Sequence, residues 1–436
     1  MKIVVTFLLF FVSTALYASN AHRSLNRACI ENGRIICGIE TIKRYQLENN
    51  IVHYEMVLSV GDGLYDKIGL HRIVKEKRSG RPIKSADAVM MVHGDAYGFG
   101  SFISSIDSQI VSHDHSIAIQ MAASGIDVWG IDARWVKVPD DTPNLDFMAN
   151  WGLDVNLRDL DVAINVARNI RRLKGNVNNK LNLLGWSRGG QLGYLYLAME
   201  TQRSKFVRNI KTFVPVDILL KTDDEAIRQS ACLYSSILQE QIDSGKQYDD
   251  SGLILKSIAF LAQNYPDETS PVLEGLTNKQ AVLVALTATY LTVPPGASYT
   301  SWYHYNGGQF DETGLPIGLT FSNLDYINEF ARGAAPYEPA RLIREATDLT
   351  CNTNAELDKH LKAISVPMLY VYSAGGFGKT GLYTAQLTAS KDVSSFGVKT
   401  LPDDLAALDF AHVDLFTAND ANKLVWQRII RWIKNH

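Results

Sequence analysis

Apolar runs and helical stripes alternate along most of the chain. The runs at 88–92 and 127–131 have the length and composition of buried strands. Between 157 and 173, apolar residues recur with the 3.6-residue period of an amphipathic helix. Strands that alternate with helices predict a mostly parallel central sheet flanked by helices. Further strands are predicted at 52–60, 68–74, 181–184, 212–216, 368–372 and 398–401, and further helices at 116–123 and 421–434.

The alternation stops in the middle of the chain. From about 221 to 342 the sequence is first helical and then rich in aromatic residues and glycine, and strands resume at 368. This layout predicts one α/β domain with a large helical and irregular insertion after its sixth main strand. The predicted division is a leader at 1–21, a first part of the core at 22–220, the insertion at 221–345, and a second part of the core at 346–436.

Length and charge restrict the class of protein only broadly. The 436 residues are enough for one large domain with an insertion, and 46% of them are hydrophobic. The formal net charge is -3 and no basic run occurs, so nothing indicates a nucleic-acid partner. The oligomeric state is left open.

The N-terminus and the cysteines predict export. Lys2 precedes an apolar block at 3–16, which is too short to span a membrane comfortably and is followed by small residues suited to cleavage. A retained N-terminal anchor is the alternative. Four cysteines fit disulfides in an oxidising compartment, with Cys29 paired to Cys37 and Cys232 paired to Cys351 across the insertion. The expected location is secreted or periplasmic.

The segment 181–190 carries the clearest chemical signal. An apolar run enters Gly185-Trp186-Ser187-Arg188-Gly189, and a helical pattern follows. Glycines two residues on either side of Ser187 allow a very sharp strand-to-helix turn. Such a turn exposes the serine hydroxyl at its corner, which is typical of a nucleophile.

Two further motifs lie at the ends of predicted strands. His93-Gly94 follows the strand at 88–92, and Ala411-His412-Val413-Asp414 lies between the last strand and the final helix. In this order with Gly-Trp-Ser-Arg-Gly, the motifs resemble the α/β-hydrolase superfamily over nearly the whole chain. The resemblance implies a serine hydrolase whose nucleophile, acid and histidine follow one another along the sequence.

That order selects the base and constrains the acid. The base must lie after Ser187, and His412 has the expected position, whereas His304 lies in the insertion, His360 in a charged helical stretch and His436 at the end of the chain. The usual place for the acid, after the strand at 368–372, has no carboxylate.

Asp217 is the predicted acid. It ends the strand at 212–216 among apolar residues, where a carboxylate is costly unless it is paired. An N-cap role is the alternative for Asp217. The other candidates for the acid are Asp403, Asp404 and Asp409.

The resemblance also places an oxyanion hole. The Arg188 amide is one expected donor, and Asp95 or Ala96 in the turn after 88–92 supplies the other, with Asp95 preferred. Trp186 and Tyr97 are expected to bind substrate. His93 is expected to be structural.

Finer similarities point to lipase-like members. The segments 125–134 and 151–155 resemble the acid-lipase group of gastric and lysosomal lipases. Two features depart from that group: an acid at Asp217 resembles the pancreatic-lipase arrangement, and Asp95 replaces the usual apolar residue after His-Gly.

The sequence therefore predicts an exported hydrolase of carboxylic esters with a small-molecule substrate, apolar acyl or aromatic, and without a cofactor. A peptidase or amidase of the same fold is an alternative, for which Asp223, Asp224 and Glu225 would hold the substrate amine. A non-catalytic binding protein is a third possibility. No metal site is expected, and solvation is the preferred interpretation of His113-Asp114-His115.

Overall fold

The computed structural model describes residues 27–31, 33–176 and 180–436. The predicted leader at 1–21 lies outside these residues. Among the described residues, the main sheet has ten strands. The nine long strands, numbered in chain order, are β1 (Gly38–Gln46), β2 (Ile51–Ser59), β3 (Lys67–Arg78), β4 (Ala88–Val92), β5 (Asp127–Asp132), β6 (Leu181–Trp186), β7 (Ile210–Val216), β8 (Met368–Ser373) and β9 (Val393–Val398), and the tenth is the short Arg81–Pro82 beside β3.

The strands lie side by side in the order β9-β8-β7-β6-β4-β5-β3-β2-β1. β1, β2 and β3 pair antiparallel, and β3 meets β5 antiparallel. Across the sheet from β5 through β4, β6, β7 and β8 to β9, every pair of neighbouring strands is parallel. The predicted mostly parallel sheet is therefore confirmed, and its first three strands pair antiparallel.

Helices cover both faces of the sheet and form most of the insertion. No helix among the described residues is long and apolar enough to cross a membrane. The α-helices are α1 (Ile117–Ala123), α2 (Leu153–Leu173), α3 (Arg188–Thr201), α4 (Glu225–Asp243), α5 (Ser251–Asn264), α6 (Asn278–Thr287), α7 (Thr289–Thr292), α8 (Leu324–Arg332), α9 (Ala340–Cys351), α10 (Ala355–Leu361), α11 (Leu382–Gln386), α12 (Asp414–Thr417) and α13 (Gln427–Asn435). A π-helical turn, Asn422–Trp426, leads into α13.

The core consists of two layers, one on each face of the sheet. Side chains of a strand point alternately to the two faces, so Val89 and Met91 of β4 belong to one layer and Met90 and Val92 to the other. The predicted apolar stripe of α2 is confirmed, since its residues are buried in the second layer.

Two elements differ from the prediction. β1 was not predicted because Gly38–Gln46 is mostly exposed and has no buried alternating face. With β1 counted, the insertion follows the seventh of the nine long strands, which is the sixth of the predicted strands. The predicted strand at 398–401 is wrong, because the strand that pairs with β8 is Val393–Val398 and only Val398 is shared.

The residues of the insertion pack over the carboxyl ends of the parallel strands. The range 221–345 holds α4 to α8, a hairpin of Gly308–Phe310 with Pro316–Leu319, and a short antiparallel pair of Tyr248–Asp249 with Glu338–Pro339. α9 runs across the predicted boundary at 345. Its last residue, Cys351, forms a disulfide with Cys232 of α4.

Both predicted disulfides are present. Cys29 bonds to Cys37 across 8 residues, and Cys232 bonds to Cys351 across 119 residues. All four cysteines are used. Because the entropy that a crosslink removes from the unfolded chain grows with the length of the closed loop, the second disulfide is expected to stabilise the fold more.

Removal of each disulfide tests this difference. The chain-entropy relation predicts that Cys232→Ala with Cys351→Ala lowers the free energy of unfolding by about 5 kcal/mol, against about 2.5 kcal/mol for Cys29→Ala with Cys37→Ala. Urea denaturation of the two double variants measures both losses. A larger loss of unfolding free energy in the double variant of Cys29 and Cys37 would contradict the expected dependence on loop length.

Candidate active site

Ser187 lies at the corner between β6 and α3. Its backbone is in the left-handed region, with φ of 54°, which is rare for a residue with a side chain. Its amide donates to the Val216 carbonyl at 3.0 Å. A Cβ on Gly185 would lie 2.2 Å from the Gly189 carbonyl oxygen, so no larger residue fits at that position of the turn. The predicted sharp strand-to-helix turn is present.

Asp217 and His412 are in direct contact although 195 residues separate them. The Nδ1 atom of His412 lies 2.7 Å from Oδ2 of Asp217. The Asp217 side chain is fully buried, and His412 is 3% exposed. β7 ends at Val216, directly before Asp217, and the loop before α12 carries His412 across the carboxyl ends of the strands.

The last residue of β8 and the segment that follows it surround Asp217. The Ser373 amide donates to Oδ1 at 3.1 Å, and the Ser373 hydroxyl donates to Oδ2 at 3.0 Å. The Phe377 amide approaches Oδ2 at 3.4 Å. A Cβ on Gly376 would lie only 1.8 Å from Oδ2. The sequence resemblance places the acid directly after β8. At that position this chain has hydrogen-bond donors and a glycine, which accommodate the carboxylate at the end of the neighbouring β7.

The His412 ring lies between aromatic side chains. Trp186 stacks on it at 5.2 Å, and Tyr303 and Phe377 lie at 5.3 and 5.8 Å. Within the described part of the chain, no group hydrogen-bonds the Nε2 atom of His412 or the hydroxyl of Ser187. Both residues line the same cavity. In the absence of substrate, contacts between nucleophile and base are commonly longer than a hydrogen bond.

The other candidate bases have different surroundings. Both ring nitrogens of His304 face backbone carbonyls, those of Trp302 and Asp409. His360 contacts Thr201 and Glu356, and His436 contacts Asp392 at the surface. None of the three lines the cavity over Ser187.

The alternative acids also lie elsewhere. Asp409 is fully buried and accepts from the amides of Thr400, Leu401 and Phe410. Asp403 and Asp404 are exposed in the short 3-10 helix Asp403–Leu408. The contact with His412 belongs to Asp217.

Asp414 holds the loop that carries His412. Its carboxylate accepts from the Ala411 amide at 3.1 Å, the Gly307 amide at 2.8 Å and the Asn306 side chain at 2.8 Å. Burial raises the pKa of Asp414, although these hydrogen bonds oppose the shift. The Ala-His-Val-Asp motif contained this residue, but its partners in the insertion gave no sequence signal.

The predicted oxyanion donors lie beside Ser187. A Cβ on Gly94 would be 2.8 Å from Cβ of Ser187, so the turn after β4 lies directly against Ser187. Among the described residues, no acceptor engages the amides of Arg188 and Asp95. The Ala96 amide, the alternative donor, is taken by Oε2 of Glu338 at 3.1 Å.

The side chains of the two donors form an ion pair. Nε and Nη2 of Arg188 each donate to Asp95 at 3.0 Å. Burial alone would raise the pKa of Asp95, but the charge and hydrogen bonds of Arg188 outweigh it and hold that pKa below its usual value. The Asp95 side chain is 38% exposed and lines the cavity. Asp95, which stands where an apolar residue is usual after His-Gly, is thus paired with Arg188.

His93 lies behind this turn and has a structural role. Its Nε2 accepts from the Ala133 amide at 3.2 Å, and its Nδ1 lies 2.8 Å from the Gly94 carbonyl. Burial lowers its pKa, which keeps the ring neutral at neutral pH.

A cavity of about 140 Å³ lies over Ser187. The expected substrate-binding residues Trp186 and Tyr97 line it, and so do Asp249 and Glu338. Asp223, Asp224 and Glu225 do not, since Asp224 caps the N-terminus of α4 instead. The cavity is further lined by four tyrosines and several apolar side chains: Tyr234, Tyr299, Tyr303, Tyr305, Leu255, Val293, Ile343 and Phe377.

A second cavity in the structure is separate from this site. A larger open groove of about 1060 Å³ lies beside Tyr65, Phe147 and Trp151 and includes neither Ser187 nor His412. The described residues contain no group of three or more His, Cys, Asp or Glu side chains arranged to hold a metal ion.

Comparison with known proteins supports the fold. No protein-family model and no curated protein matches the sequence. Among solved structures, a candidate lipase from Sulfolobus solfataricus is 19% identical with a TM-score of 0.61, over 91% of this chain and 99% of its own. A monoglyceride lipase from Saccharomyces cerevisiae is 13% identical with a TM-score of 0.44, over 91% and 96%. A thermophilic esterase from Thermogutta terrifontis is 12% identical with a TM-score of 0.41, over 91% and 99%. The chain has the α/β-hydrolase fold.

Gly94 offers a test of the contact between its turn and Ser187. A Cβ at this position would also lie 3.3 Å from the Trp186 carbonyl, so Gly94→Ala is expected to lower the free energy of unfolding by about 1–3 kcal/mol. Gly100→Ala is the control in the same loop, because a Cβ there meets nothing within 4 Å. Equal stability of the two variants in urea denaturation would contradict the close approach.

Proposed function

We propose that the protein is an exported serine hydrolase that cleaves carboxylic esters. The observation that carries this proposal is the contact of Asp217 with His412, which lines the same cavity as Ser187. A buried carboxylate is costly, and at this position it is offset by a histidine, a hydroxyl and two amides. The α/β-hydrolase fold and the resemblance to a candidate lipase agree with the proposal.

The first half of the reaction forms an acyl-enzyme. The Ser187 hydroxyl attacks the ester carbonyl carbon while Nε2 of His412 takes its proton. Asp217 accepts from the Nδ1–H of His412, which fixes the tautomer with Nε2 free and stabilises the imidazolium. The carbonyl π electrons move to oxygen, and the amides of Arg188 and Asp95 donate to that oxyanion. When the intermediate collapses, the alcohol leaves with the proton from His412.

The second half returns the free enzyme. His412 takes a proton from water, and the resulting hydroxide attacks the acyl carbon. The same two amides hold the second oxyanion. The bond between the acyl carbon and Oγ of Ser187 then breaks, Ser187 regains its proton from His412, and the carboxylic acid departs.

The size and lining of the cavity favour a substrate with a small acyl or aromatic group. Its volume of about 140 Å³ is below the roughly 300–1,000 Å³ that is usual for drug-sized ligands. Its walls combine aromatic rings with aliphatic side chains, among them Leu255, Ile343 and Phe377. We propose short acyl esters as better substrates than long-chain ones.

Export rests on two observations. The described residues contain two disulfides, which persist in oxidising compartments. The apolar block at 3–16 after Lys2 has the composition of a secretory leader. We propose a secreted or periplasmic location.

Amide hydrolysis is a second candidate function. The carboxyl groups of Asp95 and Asp249 line the cavity, and carboxylates bind the free amine of a short peptide or amino acid amide. Asp249 thus takes the place of the acidic residues expected at 223–225.

Substitution of Asp217 tests the proposed acid. Asp217→Asn keeps the side-chain shape but disfavours the required tautomer of His412, so kcat for p-nitrophenyl butyrate is expected to fall by about 10³- to 10⁴-fold. Asp404→Asn, which changes an exposed alternative acid, is expected to leave kcat unchanged within about twofold. Ser187→Ala defines the background rate and is expected to abolish labelling by a fluorophosphonate. Little change in Asp217→Asn would reject Asp217 as the acid.

A matched substrate set separates esterase from amidase. For the wild-type protein we expect kcat/KM for p-nitrophenyl butyrate to exceed that for butyryl p-nitroanilide and alanyl p-nitroanilide by about tenfold or more. The palmitate ester is expected to react more slowly than the butyrate ester. Preference for the alanyl anilide over the butyryl anilide and the ester would replace the esterase proposal with the amidase one.

A further inference from the structure

The turn that follows β4 is held from both sides. On the side of the core, the carboxylate of Asp95 forms the two 3.0 Å hydrogen bonds to Arg188. On the side of the insertion, the Ala96 amide donates to Glu338, and the Ala96 carbonyl accepts from the Ala335 amide at 2.8 Å. Residues of the insertion therefore hydrogen-bond to both peptide groups of Ala96, and the first of these directly follows Asp95.

The backbone of this turn needs such support. Ala96 has a φ of 58°, in the left-handed region that a residue with a side chain rarely adopts. That conformation is strained and persists only where its surroundings impose it. Because the Asp95 side chain and the peptide group between Asp95 and Ala96 are both held, the ψ of Asp95 and the position of its amide nitrogen are fixed. The close packing of Gly94 against Ser187 restricts the direction of that amide.

Glu338 is itself rigidly placed. It belongs to the short antiparallel pair in which Asp249 faces Glu338, and it is 3% exposed. It lines the cavity over Ser187 and a smaller cavity that it shares with His93, Asp159 and Arg188.

We infer that Glu338 is a positioning residue, which holds the Asp95 amide in the direction needed to bind the oxyanion by accepting a hydrogen bond from the Ala96 amide. This inference rests on the proposed function. It gives the insertion a part in the chemistry of Ser187 in addition to covering the cavity.

The charges around Glu338 support this arrangement. Burial and the neighbouring Asp95 raise the pKa of Glu338 well above its usual value, whereas Arg188 keeps Asp95 ionised. An ionised Glu338 would leave its Oε1 buried with no donor among the described residues. A protonated Glu338 has a proton to donate to the neighbouring Asp95 carboxylate and still accepts from the Ala96 amide at Oε2. The other ionisable groups around it are His93, Asp159, Asp249 and Tyr305.

The rate at which a fluorophosphonate labels Ser187 tests the inference, because the phosphonyl oxygen occupies the oxyanion hole in that reaction. Glu338→Ala is expected to slow labelling by about 10- to 100-fold, since it removes the support of a donor and not the donor itself. Glu338→Gln preserves an acceptor for Ala96 and a donor for Asp95, so it is expected to stay within about threefold of wild type.

Glu329→Ala is the matched control. Glu329 also lies in the insertion and bridges to the core, at the Ser108 hydroxyl and the Gln109 amide, but it does not line the cavity. Its labelling rate is expected to equal that of wild type. Thermal unfolding of all variants shows whether a slow rate reflects loss of the fold.

The pH profile distinguishes positioning from simple stabilisation. As pH rises through the elevated pKa of Glu338, the carboxyl loses the proton that it shares with Asp95, and the wild-type labelling rate is expected to fall relative to that of Glu338→Gln. A constant ratio between the two proteins, or equal rates in wild type and Glu338→Ala, would overturn the inference and leave the proposed function standing. If the wild type is not labelled, or if labelling survives in Ser187→Ala, the proposed function fails and the inference fails with it.

Discussion

The hydrogen bond between Asp217 and His412 is the interaction on which the site depends. It joins the end of β7 to the loop before α12, and the whole insertion and two more strands lie between them in sequence. Both groups are almost fully removed from water, so either one alone would be a costly buried polar group. The end of β8 makes the contact possible, because the amide and hydroxyl of Ser373 and the amide of Phe377 donate to Asp217.

The insertion takes part in the site at several points. Its Asn306 and Gly307 hold Asp414, which in turn holds the loop of His412. Its Glu338 holds the turn that carries Asp95. The disulfide from Cys232 to Cys351 ties α4 to the end of α9, close to the points where the insertion leaves and rejoins the core. Because these contacts join the insertion to the loop of His412 and to the turn of Asp95, we expect the insertion and the core to act as one unit.

The sequence allowed the parallel strands, the turn at Ser187 and both disulfide pairs to be predicted. The strands and the turn carry local signals, apolar runs in one case and closely spaced glycines in the other. Asp217 was a candidate because a carboxylate among apolar residues at the end of a buried strand needs a partner. β1 was missed because its residues are mostly exposed. Glu338 and the partners of Asp414 were missed because they act through contacts across more than 100 residues, which no local pattern shows.

A crystal structure of the protein after reaction with a small alkyl fluorophosphonate tests the central claim most directly. We expect phosphorus bonded to Oγ of Ser187, with the phosphonyl oxygen about 2.7–3.1 Å from the amides of both Arg188 and Asp95. His412 should keep its contact with Asp217 and direct Nε2 toward the adduct. Phosphorus on a different residue, or a His412 ring turned away from both Asp217 and the adduct, would contradict the account.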